Sequence, residues 1–261
     1  MADVIANGVR HHVQRLGRGA RTVVFIHGLV MDNLSSFYFT LASPVARAAD
    51  VILYDLRGHG RTERPRSGYT IASLVADLGA LLDELVPGRP VELVSHSFGG
   101  VIALAFAVAH PERVARLALI ECHVGMAGRA AEMTTTLTLL SQPGAEHDAR
   151  VVTAFQAWPG RDIAHKRAQL ARVAEALIGG TTLIDDLRRS PAMTSAALAT
   201  IPCPVLALYG ERSDLRATAE HLARTLPVCS LHLLAGCSHS ILWEATDAVR
   251  ERIVGFVGGD A

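Results

Sequence analysis

A serine hydroxyl attacks a carbonyl at neutral pH only when a base lies in hydrogen-bond reach and a third group orients that base. The chain has residues suited to each role at points where its backbone must turn. Ser97 is the centre of Ser95-His96-Ser97-Phe98-Gly99, between an apolar run that starts at Val91 and the apolar segment Val101–Ala109. A strand entering a helix through so short a turn strains its middle residue and lifts that side chain above the sheet. The small neighbours Ser95 and Gly99 let strand and helix pass closely. This is the mechanical content of a G-x-S-x-G elbow, here with serine in place of the first glycine. The helix start beneath Ser97 offers free N–H groups to developing negative charge. Serine is also a common N-cap, so the pentapeptide alone supports either reading.

Two further segments could complete the chemistry. The apolar run Pro204–Tyr209 ends in Gly210-Glu211-Arg212-Ser213-Asp214, and Ser230–Leu234 ends in Ala235-Gly236-Cys237-Ser238-His239. Both follow expected strands, so one edge of a sheet could bring an acid and a base to Ser97.

The elements that must position these groups are legible as patterns. Val4–Ala6 and Val9–Leu16 flank Asn7-Gly8, a hairpin dipeptide. Short apolar runs at Arg21–Ile26, Val51–Tyr54, the segment from Val91 and Val114–Ile120 read as buried strands of a parallel sheet covered on both faces. Thr70 caps a predicted helix over Ile71–Leu85, whose leucines recur at helical spacing. Helices are also predicted over Phe37–Ala49 (interrupted by Pro44), Ala217–Leu226 and Thr246–Val257. Between Cys122 and about Thr200 the strand rhythm stops. Helical stretches at Arg129–Leu140, Asp148–Trp158, Asp162–Ile178 and Leu183–Arg189 replace it, and a segment of that length is no ordinary loop. The fold class is therefore α/β: a core of residues 1–121 and 201–261, with residues 122–200 a helical cap inserted in the same domain.

The 261 residues are half hydrophobic and carry no formal net charge. One lysine, Lys166, accompanies twenty-four scattered arginines, so the charge pattern points to neither nucleic acid nor an anionic membrane. Cys122, Cys203, Cys229 and Cys237 lack metal-like or C-x-x-C spacing. The start of the chain has no signal-like pattern, and the longest apolar run is too short to span a bilayer. The expectation is a cytoplasmic protein with reduced thiols, without cofactor or metal, as a monomer or homodimer.

The whole pattern resembles the α/β-hydrolase superfamily. It has the His27-Gly28 turn, the Asp55-x-Arg-Gly-His-Gly60 loop, the elbow, the acid loop and a late G-x-x-H at Gly236–His239, in that family's order. The resemblance implies Ser97 as nucleophile, His239 as general base and acid, and Asp214 steering the imidazole. Asp214 lies one residue beyond the position many relatives use, which is Ser213 here, so Glu211 and Glu121 stay open as alternatives. The implied oxyanion donors are the N–H groups of Leu29 and Phe98, worth about 3 kcal/mol each in other hydrolases. Asp55, Arg57 and His59 are expected to be scaffold, His27 to brace the oxyanion loop, and His11 and His12 to be solvated on an edge strand. Val30, Met31, His96, His123, Phe155, Trp158 and Trp243 are the candidate substrate contacts. The expected substrate is a small apolar ester, lactone or thioester, free or carried as an acyl chain on a carrier protein. C–C bond hydrolase, haloperoxidase, cyclase or lyase chemistry, or a non-hydrolytic receptor, are the alternatives on this fold.

Overall fold

The structure is a computed structural model describing residues 2–30, 32–124, 173 and 175–259. Eight strands form one sheet: β1 (Ala2–Ala6), β2 (Val9–Leu16), β3 (Thr22–Ile26), β4 (Asp50–Tyr54), β5 (Val91–His96), β6 (Val114–Ile120), β7 (Val205–Gly210) and β8 (Cys229–Leu234). Their order is β1-β2-β4-β3-β5-β6-β7-β8. The hairpin β1–β2 and the pair β2–β4 are antiparallel, and all other pairs are parallel. Asn7 and Gly8 supply the two positive φ angles that a tight hairpin turn needs, 48° and 73°.

Every residue of β3, β4, β5 and β7 is buried, which is why these strands read as largely apolar runs, with Asp50, Glu92, Ser95 and His96 among the buried polar exceptions. One face is covered by α1 (Ile71–Leu85) and α2 (Gly99–Ala109), the other by the helical run Ser35–Val45 and the closing helix Thr246–Gly258. Thr70 caps α1 through the N–H of Ser73 at 3.1 Å. The described end of the insertion packs into the core cluster through Leu177, Leu183, Leu187 and Leu198. Helix α3 (Leu183–Arg189) is pinned to the core where Asp186 accepts the Tyr69 N–H at 2.9 Å. The helices expected over Arg129–Leu140 and Asp148–Trp158, and most of Asp162–Ile178, lie outside the described residues. No helix among the described residues is long and apolar enough to cross a membrane.

Two expectations change. The helix expected over Phe37–Ala49 runs instead from Ser35 to Val45, with a wide π turn at Tyr38–Ala42. Pro44 has no N–H for the carbonyl of Thr40, which accepts from Arg250 at 3.0 Å instead. His11 and His12 are not on an edge: β2 lies between β1 and β4, and the two rings are 0% and 4% exposed.

Candidate active site

The strand order reverses around β3, which pairs with β4 on one side and β5 on the other. In open α/β sheets such a switch point opens a crevice at the carboxyl ends of the strands. Ile26 lies opposite Ser95, His96 opposite Ile120, and Ile120 opposite Leu208. The segments that follow β3, β5, β6 and β7 therefore emerge side by side.

Ser97 sits at the β5–α2 turn with φ at 52°, an uncommon conformation for a residue with a Cβ. The turn is tied to β6 by Ser97 N–H to the Ile120 carbonyl at 3.0 Å and His123 N–H to the Ser97 carbonyl at 3.1 Å. Gly99 is obligatory, because a Cβ there would lie 2.2 Å from the Ile26 carbonyl oxygen. The hydroxyl of Ser95 donates to the Ala118 carbonyl at 3.2 Å, beside Cys122 Sγ at 3.4 Å. This is how the turn takes serine in place of glycine.

Opposite the serine runs the loop after β3. Gly28 lies so near that a Cβ on it would stand 3.3 Å from Ser97 Cβ. Two neutral histidines brace this loop. His27 accepts the Leu56 N–H at Nε2, 2.9 Å, and donates from Nδ1 to the Gly28 carbonyl, 2.7 Å. His59 accepts the Val30 N–H at Nε2, 2.8 Å, and donates from Nδ1 to the Arg57 carbonyl, 2.8 Å. Burial, helped by the neighbouring His27, pushes the His59 imidazole down to about 3, so it stays an acceptor. That bond holds Val30 at φ 62°, rare for a β-branched residue. Asp55 anchors the same region, accepting the N–H groups of Leu34 and Arg61, both at 2.9 Å. The N–H groups of Leu29 and Phe98 have no partner among the described residues.

The third component differs from expectation. His239 Nδ1 donates to Glu121 Oε2 at 3.0 Å. Asp214 is exposed and makes no contact with the ring; Glu211 instead accepts the Gly236 N–H at 3.0 Å. Glu121 follows β6 with φ at 50° and its side chain fully buried. The Gly210 N–H donates to its Oε1 and the Ser213 hydroxyl to its Oε2, the latter at 2.6 Å. The carboxylate therefore comes from the end of β6, and Ser213 supports it. The loop after β7 turns too early for Asp214 to reach: Ser213 N–H closes onto the Gly210 carbonyl and directs the next side chain outward. The only available sequence signal was a carboxylate directly after five core residues of β6.

With its Nδ1 proton on Glu121, His239 keeps its lone pair on Nε2, the form a general base needs. Its ring centroid is 5.9 Å from that of His96 and 5.8 Å from that of His123. His96 is buried, with Trp243 edge-on at 5.4 Å. Phe37 packs on its other side but belongs to the core. Val30 is buried in its loop, whereas Met31, Phe155 and Trp158 lie outside the described residues. No cluster of His, Cys, Asp or Glu among the described residues could hold a metal ion.

Residues 23–252 match the family model described as alpha/beta hydrolase family. A 2-hydroxy-6-oxononadienedioate/2-hydroxy-6-oxononatrienedioate hydrolase of Cupriavidus pinatubonensis is 28% identical over 95% of this chain and 91% of that protein. The dihydrolipoyllysine-residue acetyltransferase component of an acetoin cleaving system in Cupriavidus necator is 39% identical over 46% of this chain, and the match spans only 30% of that protein. Among solved structures, an enol-lactonase from Burkholderia xenovorans superposes with a TM-score of 0.78 at 23% identity, covering 99% of this chain and 100% of the other. The fold, the strand order and the family match agree: this chain belongs to the alpha/beta hydrolase family.

Proposed function

We propose that this protein is a cofactor-independent serine hydrolase acting on an ester, lactone or thioester with an apolar acyl or ring-containing part. Ser97 Oγ attacks the acyl carbon while His239 Nε2 takes its proton. Glu121 holds the imidazole and stabilises the imidazolium that forms. The N–H groups of Leu29 and Phe98 receive the oxyanion. His239 then protonates the leaving group and activates a water that releases the acyl enzyme.

The observation that carries this reading is the hydrogen bond from His239 Nδ1 to the buried Glu121, at the same sheet edge as a serine held at positive φ. Asp32, a buried carboxylate beside Gly28, adds to it. Burial disfavours its charge, but the hydrogen bond from His96, with that of the Ser36 hydroxyl, holds its carboxyl well below the usual range. A fixed negative charge beside the cleft favours a neutral acyl group. The substrate, free or bound to a carrier protein, would be met in the cytoplasm by a monomer or homodimer.

C–C bond hydrolysis is the second reading, favoured by the relative from Cupriavidus pinatubonensis that matches over nearly its whole length. A fluorophosphonate should label the native protein and not Ser97→Ala. A panel of p-nitrophenyl esters, acyl thioesters, lactones and vinylogous diketones then separates the chemistries by product. A native protein that takes no label overturns the proposal.

A further inference from the structure

Beside Glu121 and His239 lies a second buried carboxylate–imidazole pair that neither nucleophilic attack nor proton transfer uses. Asp32 follows the loop that carries Leu29, and His96 directly precedes Ser97. Their side chains are 11% and 6% exposed, with His96 Nδ1 at 3.2 Å from Asp32 Oδ2. The same Oδ2 accepts the Gly28 N–H at 2.7 Å. Oδ1 accepts the Asn33 N–H at 2.9 Å and the Ser36 hydroxyl. One carboxylate therefore grips both walls of the cleft, at the residue before Leu29 and the residue before Ser97.

The grip leaves little room. A methyl on Gly28 would stand 2.9 Å from Asp32 Oδ2 and 3.3 Å from Ser97 Cβ. The His96 ring is wedged between Phe37, edge-on at 6.5 Å, and Trp243, edge-on at 5.4 Å. Its Nε2 is buried without a partner, which leaves its desolvation uncompensated. An apolar side chain of the same size would avoid that cost, so the useful atom of this ring is Nδ1.

We propose that Asp32 and His96 are positioning residues for the hydrolysis, clamping the Leu29 N–H at a fixed distance from Ser97 Oγ. The inference rests on the serine-hydrolase reading above. A donor so held meets the substrate oxygen only as charge develops on it, and its displacement costs rate without costing binding.

The test compares Asp32→Ala, Asp32→Asn, His96→Leu and His96→Asn with the native enzyme. Steady-state kinetics on p-nitrophenyl butyrate are read together with hydrogen exchange of residues 27–34. Asp32→Ala and His96→Leu should lower kcat about 10- to 100-fold, less than the roughly 10²- to 10³-fold cost of losing an oxyanion donor outright, with KM within about twofold. His96→Asn, whose amide can replace the Nδ1 donor, should recover most of the rate. Exchange in residues 27–34 should accelerate in the two deficient variants while α1 exchanges as in the native protein. Asp32→Asn, which keeps an acceptor for the Gly28 N–H, should lose less rate than Asp32→Ala, and His96→Leu carries the test if the alanine variant does not fold.

A loss carried by KM, or His96→Asn no better than His96→Leu, overturns the clamp. So does unchanged exchange of the loop in Asp32→Ala or, if that does not fold, in His96→Leu. That last measurement needs no turnover. A native protein inert to fluorophosphonate removes the hydrolase reading, while an active enzyme with an unaltered loop removes only the clamp.

Discussion

Glu121 is where one side chain decides the most. Its carboxylate accepts from His239, Ser213 and Gly210, and only the first of these bonds is part of the proposed chemistry. Replacing it with glutamine keeps the size but removes the charge that stabilises the imidazolium. In Glu121→Gln, kcat should fall by about 10⁴-fold, as it does when a triad acid is replaced by its amide. Asp214→Asn should stay within about twofold of the native rate. Initial-rate kinetics on an activated ester decide between them, and equal losses would return Asp214 to the site. Ser97 and His239 were legible as candidates in the sequence because a strained turn and a late G-x-x-H constrain residue types locally. The acid was not, because its identity depends on which strand ends share an edge. It takes the register of β6 against β7 to put Gly210 and Ser213 onto Glu121, and sequence spacing does not contain that register. The positive φ angles of Val30 and Glu121 were equally hidden, since neither is glycine, whereas the strain at Ser97 was expected from its turn. All three lie at the site, where strain is expected to concentrate.

The elements are held together by one buried ion pair that the sequence did not suggest. Arg57 reaches from the loop after β4 to Asp77 on α1 with two bonds, at 2.8 and 2.6 Å, and Asn7 of the hairpin donates to the same carboxylate at 2.8 Å. Side chains of Arg57 and Asp77 are only 9% and 3% exposed. Asp77→Ala would leave a guanidinium buried and unpaired, and should cost about 3–5 kcal/mol. The contrasting pair Arg113–Asp83 has a largely exposed carboxylate, so Asp83→Ala should cost under about 1 kcal/mol. Urea unfolding followed by circular dichroism measures both, and similar midpoints for the two variants would remove Asp77 as a tie between elements. The side chain of Arg57, expected to be scaffold, thus has its partner on a helix that was read only from its leucine spacing and its cap. Strands β2 and β6 and helices α1 and α3 have the bounds read from apolar runs and leucine spacing. These segments carry their own periodicity. The run Ser35–Val45 departs from its expected bounds and contains a π turn, where Arg250, more than two hundred residues away, supplies the Thr40 carbonyl with the donor that Pro44 lacks.

At the scale of the whole molecule, the native state depends on keeping buried imidazoles uncharged. Burial lowers both His11 and His59, the latter to about 3, against 6.5 in a free chain. Below pH 6.5 the unfolded chain therefore binds protons that the native state refuses, and stability falls with pH. Each such group can contribute about 1.4 kcal/mol per pH unit, so His59 alone should cost about 2 kcal/mol between pH 6.5 and 5. Asp32 acts in another window. Its lowered carboxyl gives stability that is present above the unfolded value of 3.8 and lost only as pH falls through the folded one, so it is silent between pH 5 and 6.5. Unfolding by urea at pH 7.5, 6 and 5 reads the difference directly. His59→Gln offers the Val30 N–H an oxygen near the place of Nε2 but cannot take a proton. It should be the less stable protein at pH 7.5, yet lose less than the native chain on going to pH 5. Parallel losses in the two proteins would place the acid sensitivity elsewhere. The His59 bond also fixes the loop that carries Leu29, and because the buried imidazole takes a proton only at about pH 3, that bond stays intact in the molecules that remain folded at pH 5. Between pH 7.5 and 5 the kcat of the folded enzyme should therefore follow pH alike in His59→Gln and in the native protein, and a shallower loss of kcat in the variant would show that the native loop takes up a proton well above the buried value.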